Sequence, residues 1–386
     1  MKIVYNIRGT FNSGGMERVL ANKANYLARM GYDITIITTD QQEQNSYFNM
    51  DPRIAHVDLG INYSDHDSSN LLNKICSYIT KQKKHRRKLT EVLTLLKADI
   101  VISMFDHDGS FLYKINDGSK KILEIHFSRY KRIQYGRKGI WKYVDLLRSH
   151  SDADTASRYD SFVVLTEEDR GYWGDMANIR VIPNANSFTP DTQAALDAKV
   201  AVAVGRYDYQ KGFDNLIRIW YEIHKTHPDW SLNIFGQGPL KENLQHLISE
   251  LKLSEVVHLC SPVKNIEQEY LRSSILVMTS RYEGFGMALS EAQACGLPLV
   301  AYACKCGPKD IIRTGNNGYL IAENDVKDFV EKVNLLIENK TLRTEIGANA
   351  IAMSQHYSEE KVMNQWVSLF DGLMNNRKGI AIPLNN

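Results

Sequence analysis

The segment ILVMTSRYEGFGMALSEAQACGLPLVAY (275–302) reads in order as a strand, a glycine-bearing loop, a helix and a second strand. Both apolar runs are continuous rather than alternating, as in strands buried on both faces. A helix between two such strands implies a parallel pair joined by a crossover, and so a doubly wound α/β sheet. The same alternation extends to either side. KVAVAVG (199–205), LNIFG (232–236) and VVHL (256–259) precede the segment as further strands, and residues 325–374 read as almost wholly helical. Nearer the N-terminus, KIVYNI (2–7) leads into a helix from Gly15 to about Met30, followed by DITIITT (33–39). IAHVDL (54–59), DIVISM (99–104), KILEIH (121–126), SFVVLT (161–166) and IRVIPN (179–184) complete that series.

Between the two series lies NSFTPDTQAALDAK, which is polar and has no strand. A chain of 386 residues also exceeds the roughly 250–300 that one core usually serves. Two Rossmann-like domains, 1–185 and 186–386, are therefore expected, with the last helix packing back on the first domain. Ligands of open α/β sheets sit at the carboxyl ends of strands, so two facing sheets would enclose a central cleft.

Composition narrows the class. Apolar residues make up 43% and charged residues 24%, and mean hydropathy is −0.35, as in a water-soluble enzyme. No apolar run reaches the length of a membrane span, and MKIVYNIRG is too brief for a signal-peptide core. Five scattered cysteines form no disulfide framework. These features point to the cytoplasm. The net charge of +2 hides an asymmetry, +5 over 1–185 against −3 over the remainder. Residues 70–97 hold eight basic residues and one acid, and 129–148 hold seven and one, with Tyr130, Tyr135, Trp141 and Tyr143 interleaved. Such runs are either solvated helix faces or a surface for anionic lipid or a pyrophosphate-bearing acceptor. Nucleic acid is disfavoured by a pI near 8.1 and the lack of a recognition motif.

The chemistry concentrates in 280–300. A strand–loop–helix junction presents free backbone N–H groups and a positive dipole end, which suit a phosphate. Gly284 and Gly286 permit close approach, while Glu283 and Glu291 place carboxylates where sugar or ribose hydroxyls could donate to them. For Glu291 alone, a favourable charge near a helix N-terminus is an equally good reading.

EGFGMALSEAQACGLPLVA resembles the signature of family-4 (group 1) retaining glycosyltransferases, with Glu283 and Glu291 as their E-x7-E pair. VGRYDYQKGFDNLI (204–217), the diglycine segment GGMERVL (14–20), LTEED (165–169) and IPN (182–184) also resemble that family, especially its capsule and exopolysaccharide enzymes of the amylovoran type. The resemblance implies the GT-B fold and transfer of a hexose from a nucleotide sugar, with UDP the favoured nucleotide. It implies a glycan or lipid-linked saccharide as acceptor and no metal or other cofactor. Arg206 and Lys211 would neutralise the leaving diphosphate, Glu283 would touch the transferred sugar and Glu291 the ribose. Backbone at Phe285, Gly286, Met287 and Ala288 would reach sugar and diphosphate, and backbone near Val263 would carry the base. Gly14 and Gly15 would bring a helix N-terminus to the phosphate or acceptor, and His126, ending KILEIH, would face the donor sugar. A non-catalytic binding subunit is the alternative, but it has no reason to keep Arg206, Lys211, Glu283 and Glu291 together.

Other patterns carry less. Asp106-His107-Asp108 matches the D-x-D metal motif, but 25 aspartates produce such matches by chance, and 65–67 and 152–154 match as well. Cys304-Lys305-Cys306 has no histidine pattern beside it and reads as a strand-to-loop segment.

Overall fold

A computed structural model describes residues 1–65, 71–129, 131 and 139–377. Two compact units result. The first comprises residues 1–165, 170–182 and those from Met363 on, and the second comprises 166–169 and 183–362.

The first unit is built on seven parallel strands in the order β3-β2-β1-β4-β5-β6-β7. These are β1 (Lys2–Ile7), β2 (Asp33–Thr38), β3 (Ala55–Asp58), β4 (Ile100–Ser103), β5 (Lys120–Glu124), β6 (Ser161–Val164) and β7 (Ile179–Val181). Residues Ile3 to Asn6 pair with Ile100 to Ser103 on one side and with Ile34 to Ile37 on the other. The central strands are buried on both faces, which explains their unbroken apolar character. Crossovers include α1 (Gly15–Arg29), α2 (Leu71–Leu96) and α3 (Ile140–Ser157). Strand order reverses between β1 and β4, creating a crevice at their carboxyl ends. Strand β5 stops at Glu124, so His126 lies just beyond the strand rather than within it. Glu124 pairs with Val163, and the Ile125 amide makes one more bond to β6 by donating to the Val163 carbonyl at 3.0 Å, which leaves His126 just past the ladder.

The second unit has six parallel strands in the order β10-β9-β8-β11-β12-β13. They are β8 (Val200–Val204), β9 (Ser231–Phe235), β10 (Val257–Cys260), β11 (Ile275–Met278), β12 (Leu299–Tyr302) and β13 (Gly318–Ile321). Sequence reading misses β13, a four-residue strand, because GYLI opens on a glycine and is too short to show a period. The helices of this unit are α5 (Phe213–His224), α6 (Lys241–Glu250), α7 (Ile266–Leu271), α8 (Met287–Ala294), α9 (Pro308–Ile311), α10 (Val326–Glu338) and α11 (Lys340–Ser354), while α4 (Glu167–Trp173) and α12 (Glu359–Arg377) are each divided between the two units, most of α12 belonging to the first. Trp220, Ile217 and Leu216 of α5 are fully buried against sheet residues such as Leu232 and Val277 and against Phe329 of α10. Here the order reverses between β8 and β11.

The basic run 70–97 forms α2, and part of its charge is structural. Lys81 Nζ donates to the carbonyls of Asn62 and Asp65 at 2.6 and 3.0 Å, and Lys88 Nζ to that of Leu59 at 2.6 Å. Lys84 reaches the Gly60 carbonyl at 3.3 Å. These residues share one helix face and fasten the loop after β3. In the second basic run, Tyr130 and 132–138 lie outside the described residues, as does the Trp141 side chain. No helix among the described residues is long and apolar enough to cross a membrane.

A buried ion pair ties α1 to β5. Lys23 Nζ lies 2.5 Å from Glu124 Oε1, with the two side chains 5% and 1% exposed. The ammonium also sits 3.7 Å from the ring centroid of Trp366 on α12, which caps it with a π face. Burial pushes the Glu124 carboxyl up, but Lys23 and His126 outweigh it and hold the group at about 2. Replacing Glu124 by Gln leaves a buried ammonium without its anion, and a loss of about 3–5 kcal/mol is expected. Because the folded-state carboxyl titrates below its unfolded value of 4.5, its stabilisation is complete above that pH and disappears as pH falls toward 2. Urea unfolding of Glu124→Gln should therefore show a large deficit at pH 7 that narrows below pH 4.5. An unchanged deficit down to pH 2.5 would contradict this account.

Candidate active site

In the second unit the residues singled out from the sequence gather at the reversal between β8 and β11. Strand β8 ends at Val204, and the chain turns through Gly205 and Arg206 into a single 3-10 turn, Tyr209–Lys211. Asp208 caps this turn by accepting from the Lys211 amide at 3.3 Å. Gly212 follows at φ +62°, where a β-carbon would stand 2.3 Å from the Thr279 carbonyl oxygen. Only glycine fits both the left-handed backbone and that approach, which is why Lys-Gly opens α5. The Thr279 hydroxyl donates to the Gly212 carbonyl at 2.9 Å, and the Arg281 amide donates to that of Gln210 at 2.7 Å. The loops after β8 and β11 are thereby stitched together.

That stitching brings Lys211 to Glu283, Nζ to Oε1, at 2.7 Å. The Ser280 hydroxyl donates to the same oxygen at 2.6 Å. Both charged side chains are mostly buried, 18% and 7% exposed. A pair in this setting is held in one geometry and feels little solvent screening. The Glu283 backbone is fixed by reciprocal bonds with the segment after β12: its amide donates to the Lys305 carbonyl at 2.6 Å, and its carbonyl accepts from the Cys306 amide at 3.1 Å. Arg206, in contrast, is 70% exposed and folds back to Asp208 at 3.0 Å.

Helix α8 starts beside this pair. Its N-cap is Gly286 at φ +94°, and no side chain caps it. By comparison, α10 and α11 are capped by Asp325 and Asn339. The Phe285 side chain is buried, whereas Met287 and Ala288 are partly exposed on the first turn. Their amides precede the first intrahelical bond, from Leu289 N–H to the Gly286 carbonyl at 2.9 Å. The helix therefore presents donors and a positive dipole end with no protein side chain in the cap position.

Glu291, one turn further on, is 6% exposed. Ser187 Oγ donates to its Oε1 at 2.5 Å and Tyr270 OH to its Oε2 at 3.0 Å. Ser187 and Tyr270 escape a sequence reading because each is an isolated hydroxyl in a segment without a motif, and Ser280, although it opens the 280–300 stretch, is not one of the residues that the motif marks. Val263 lies in the loop after β10, three residues past Cys260, and is partly exposed.

Gly14, Gly15 and His126 belong to the first unit. Gly14 is the N-cap of α1, again with no side-chain cap, and Gly15 is exposed. His126 Nε2 lies 3.2 Å from Glu124 Oε1, so the imidazole leans on the carboxylate that Lys23 holds ionised. The thiols of Cys304 and Cys306 are buried, and burial pushes Cys304 well above the ordinary thiol range. Among the described residues no group of three or more His, Cys, Asp or Glu is disposed to hold a metal ion.

Comparison with known proteins matches both halves of the chain. Residues 13–185 match Glycosyltransferase Family 4 and residues 186–353 match Glycosyl transferases group 1. An uncharacterized glycosyltransferase of Haemophilus influenzae is 31% identical, over 95% of this chain and 98% of its own length. The amylovoran biosynthesis glycosyltransferase AmsD of Erwinia amylovora is 28% identical over 95% and 98%. Sucrose-phosphate synthase of Thermosynechococcus elongatus superposes with a TM-score of 0.82 at 16% identity, covering 97% of this chain and 99% of that one. Staphylococcal TarM gives 0.77 at 19%, covering 96% and 98%. At such identities the superpositions speak for the GT-B fold, while the sequence matches carry the family. The chain belongs to the group 1, family-4 glycosyltransferases and is an enzyme of the glycosyl-transferring class.

Proposed function

We propose that the protein is a retaining hexosyltransferase that uses a UDP-sugar and extends a saccharide or lipid-linked saccharide in surface polysaccharide assembly. The observation that carries this reading is the Lys211–Glu283 pair set beside the uncapped N-terminus of α8. A leaving nucleoside diphosphate gains negative charge as its bond to the sugar breaks. Lys211, the α8 amides and Arg206, swung out from Asp208, would receive that charge. Glu283, fixed by Lys211 and Ser280, would meet the hydroxyls of the sugar, and Glu291 the ribose. His126 would contribute a hydrogen bond to the sugar, and Gly14 and Gly15 the α1 amides. Retention in this family is understood to proceed on one sugar face, with a diphosphate oxygen taking the acceptor proton. The reading therefore needs no second carboxylate at glycosidase spacing. Related structures support the donor, since TarM was solved with UDP and Anabaena HepE with UDP and glucose. A lipid-linked acceptor has support in a Campylobacter jejuni relative, 23% identical over 97% of this chain, that acts on a diphospho-undecaprenol glycan.

Arg206→Ala and Lys211→Ala should each lower kcat by about 10²-fold or more, some 2.7 kcal/mol of transition-state stabilisation. Lys211→Ala also strands the buried Glu283, so a fall in Tm should accompany it. The exposed Arg206 isolates the kinetic effect. Turnover within about threefold of the parent for Arg206→Ala, measured by UDP release, would remove the charge-stabilising role.

Glu291→Gln should instead weaken UDP binding, because ribose hydroxyls do not change during the reaction. Calorimetry showing normal UDP affinity in a variant that fails to turn over would refute the ribose assignment.

The protein is further proposed to act at the cytoplasmic membrane face. On α2, Lys74, Lys83, Arg86 and Arg87 are exposed, as are Ile75, Tyr78 and Ile79. Cations near an anionic leaflet gain about 1 kcal/mol each, and salt screens that gain. Vesicles containing anionic lipid should pellet the protein at low salt and release it at high salt. No pelleting, or salt-independent pelleting, would exclude electrostatic docking.

A further inference from the structure

The buried pair of Lys23 and Glu124 has a third member, and the pair decides how that member can act. His126 Nε2 lies 3.2 Å from Glu124 Oε1, the same oxygen that Lys23 Nζ approaches, and the imidazole is 7% exposed. Of the two ring nitrogens it is Nε2 that is shut in. Its approach to Oε1 lacks the alignment of a well-formed hydrogen bond, and among the described residues it has no other partner.

That contact fixes where the ring carries its proton. A neutral imidazole has one N–H and one lone pair, and either nitrogen can hold the hydrogen. A lone pair on Nε2 would face the carboxylate oxygen and be repelled by it, whereas an Nε2–H is attracted even when imperfectly aligned. Burying Nε2–H against any other wall would also leave a donor unpaired. The proton therefore belongs on Nε2, and Nδ1 is left as an acceptor.

Lys23 keeps the imidazole from becoming the cation of the pair. One ammonium against one carboxylate already balances the buried charge, and the Trp366 ring covers the ammonium. A second buried cation would be uncompensated and costly. Tyr5 of β1 is the remaining titratable group that senses this carboxylate. Burial, then Glu124, pushes its phenol well above the ordinary range, so it adds no charge. Lys23 from α1, Glu124 at the end of β5 and Tyr5 from β1 thus sum to zero.

We propose that Glu124 and Lys23 are positioning residues, which hold His126 as its Nε2–H tautomer so that Nδ1 accepts a hydrogen bond from a hydroxyl of the transferred sugar. The inference deepens the proposed function, on which it rests for the meeting of His126 with the donor. It also carries a specificity. A hydroxyl can turn its O–H toward an acceptor, but an ether or carbonyl oxygen cannot donate, so the tautomer selects a free hydroxyl at that position.

The tautomer is read from long-range 1H–15N spectra of protein labelled with 15N-histidine at pH 8, the His126 signals being those missing from His126→Gln. The parent should show a neutral ring with its proton on Nε2. Two double variants separate positioning from packing, and both remove the two buried charges together at similar volume, which spares the fold. Lys23→Met/Glu124→Gln keeps a carbonyl oxygen to accept from Nε2–H and should retain the tautomer. Lys23→Met/Glu124→Leu offers no acceptor, so the proton should move to Nδ1. The kinetic probe is slow hydrolysis of UDP-glucose, UDP-galactose, UDP-N-acetylglucosamine or UDP-N-acetylgalactosamine, whichever the parent accepts. Because that reaction is slow, its KM follows binding. KM should rise about tenfold in Lys23→Met/Glu124→Leu, the equivalent of one hydrogen bond, and stay within about threefold of the parent in Lys23→Met/Glu124→Gln. UDP affinity should be unchanged in both. The inference is overturned if the parent ring carries its proton on Nδ1 or on both nitrogens. It is equally overturned if Lys23→Met/Glu124→Leu keeps the parental KM, or if the two double variants are impaired alike, as a purely structural role requires. Any of these results beside a parent that hydrolyses a UDP-sugar defeats the positioning role alone, and a parent that hydrolyses none of the four defeats the proposed function with it.

Discussion

Every strand pair in both sheets is parallel, and that constraint organises the molecule. A parallel neighbour cannot be reached by a tight turn, so each strand must be followed by a crossover that returns the chain to the same edge. All strand carboxyl ends in a sheet then lie together, and every loop leaving them opens on one side. Where the order reverses, adjacent crossovers diverge to opposite faces and leave a crevice. Each unit has one such place, between β1 and β4 and between β8 and β11. The side chains with the most evident chemistry stand at these two points.

What fills each crevice is set by short-range backbone requirements. At β8 and β11, Gly212 lets two loops approach within a distance that forbids a β-carbon, and the resulting contact delivers Lys211 to Glu283. The carboxylate and ammonium depend on each other, since either left alone in that mostly buried setting would be costly. Gly286 then starts α8 without a capping side chain, leaving the helix amides as donors. In the first unit the analogous buried pair, Lys23–Glu124, has a different neighbour, the Trp366 ring from the last helix. There the pair joins α1, β5 and α12, three elements distant in sequence, and sets the surroundings of His126.

The distribution of basic residues shows how one composition serves two ends. Lys81, Lys84 and Lys88 recur at helical spacing and turn toward backbone carbonyls of the loop after β3. Their neighbours Lys83, Arg86 and Arg87 point elsewhere and are exposed. The count of charges in 70–97 therefore overstates the number available to a partner, because loop carbonyls without strand partners claim three of them.

The sequence by itself determined the alternation of strands and helices, the parallel sheets and the family. Continuous apolar runs and motif spacing are local properties, readable along the chain without knowing what packs where. It also marked Arg206, Lys211, Glu283 and Glu291, since residue type and spacing carry their chemistry. Only the tertiary structure decided that Lys211 meets Glu283 rather than solvent, that Ser187 and Tyr270 donate to Glu291, and that His107 of the D-x-D match at 106–108 packs against the rings of Tyr63 and Tyr78. It alone added β13, whose four residues give no period, and ended β5 before His126. The physical reason is the same in each case. Hydrogen bonds, stacking and burial between residues tens to hundreds of positions apart depend on distances in space, and these exist only once the sheets have formed.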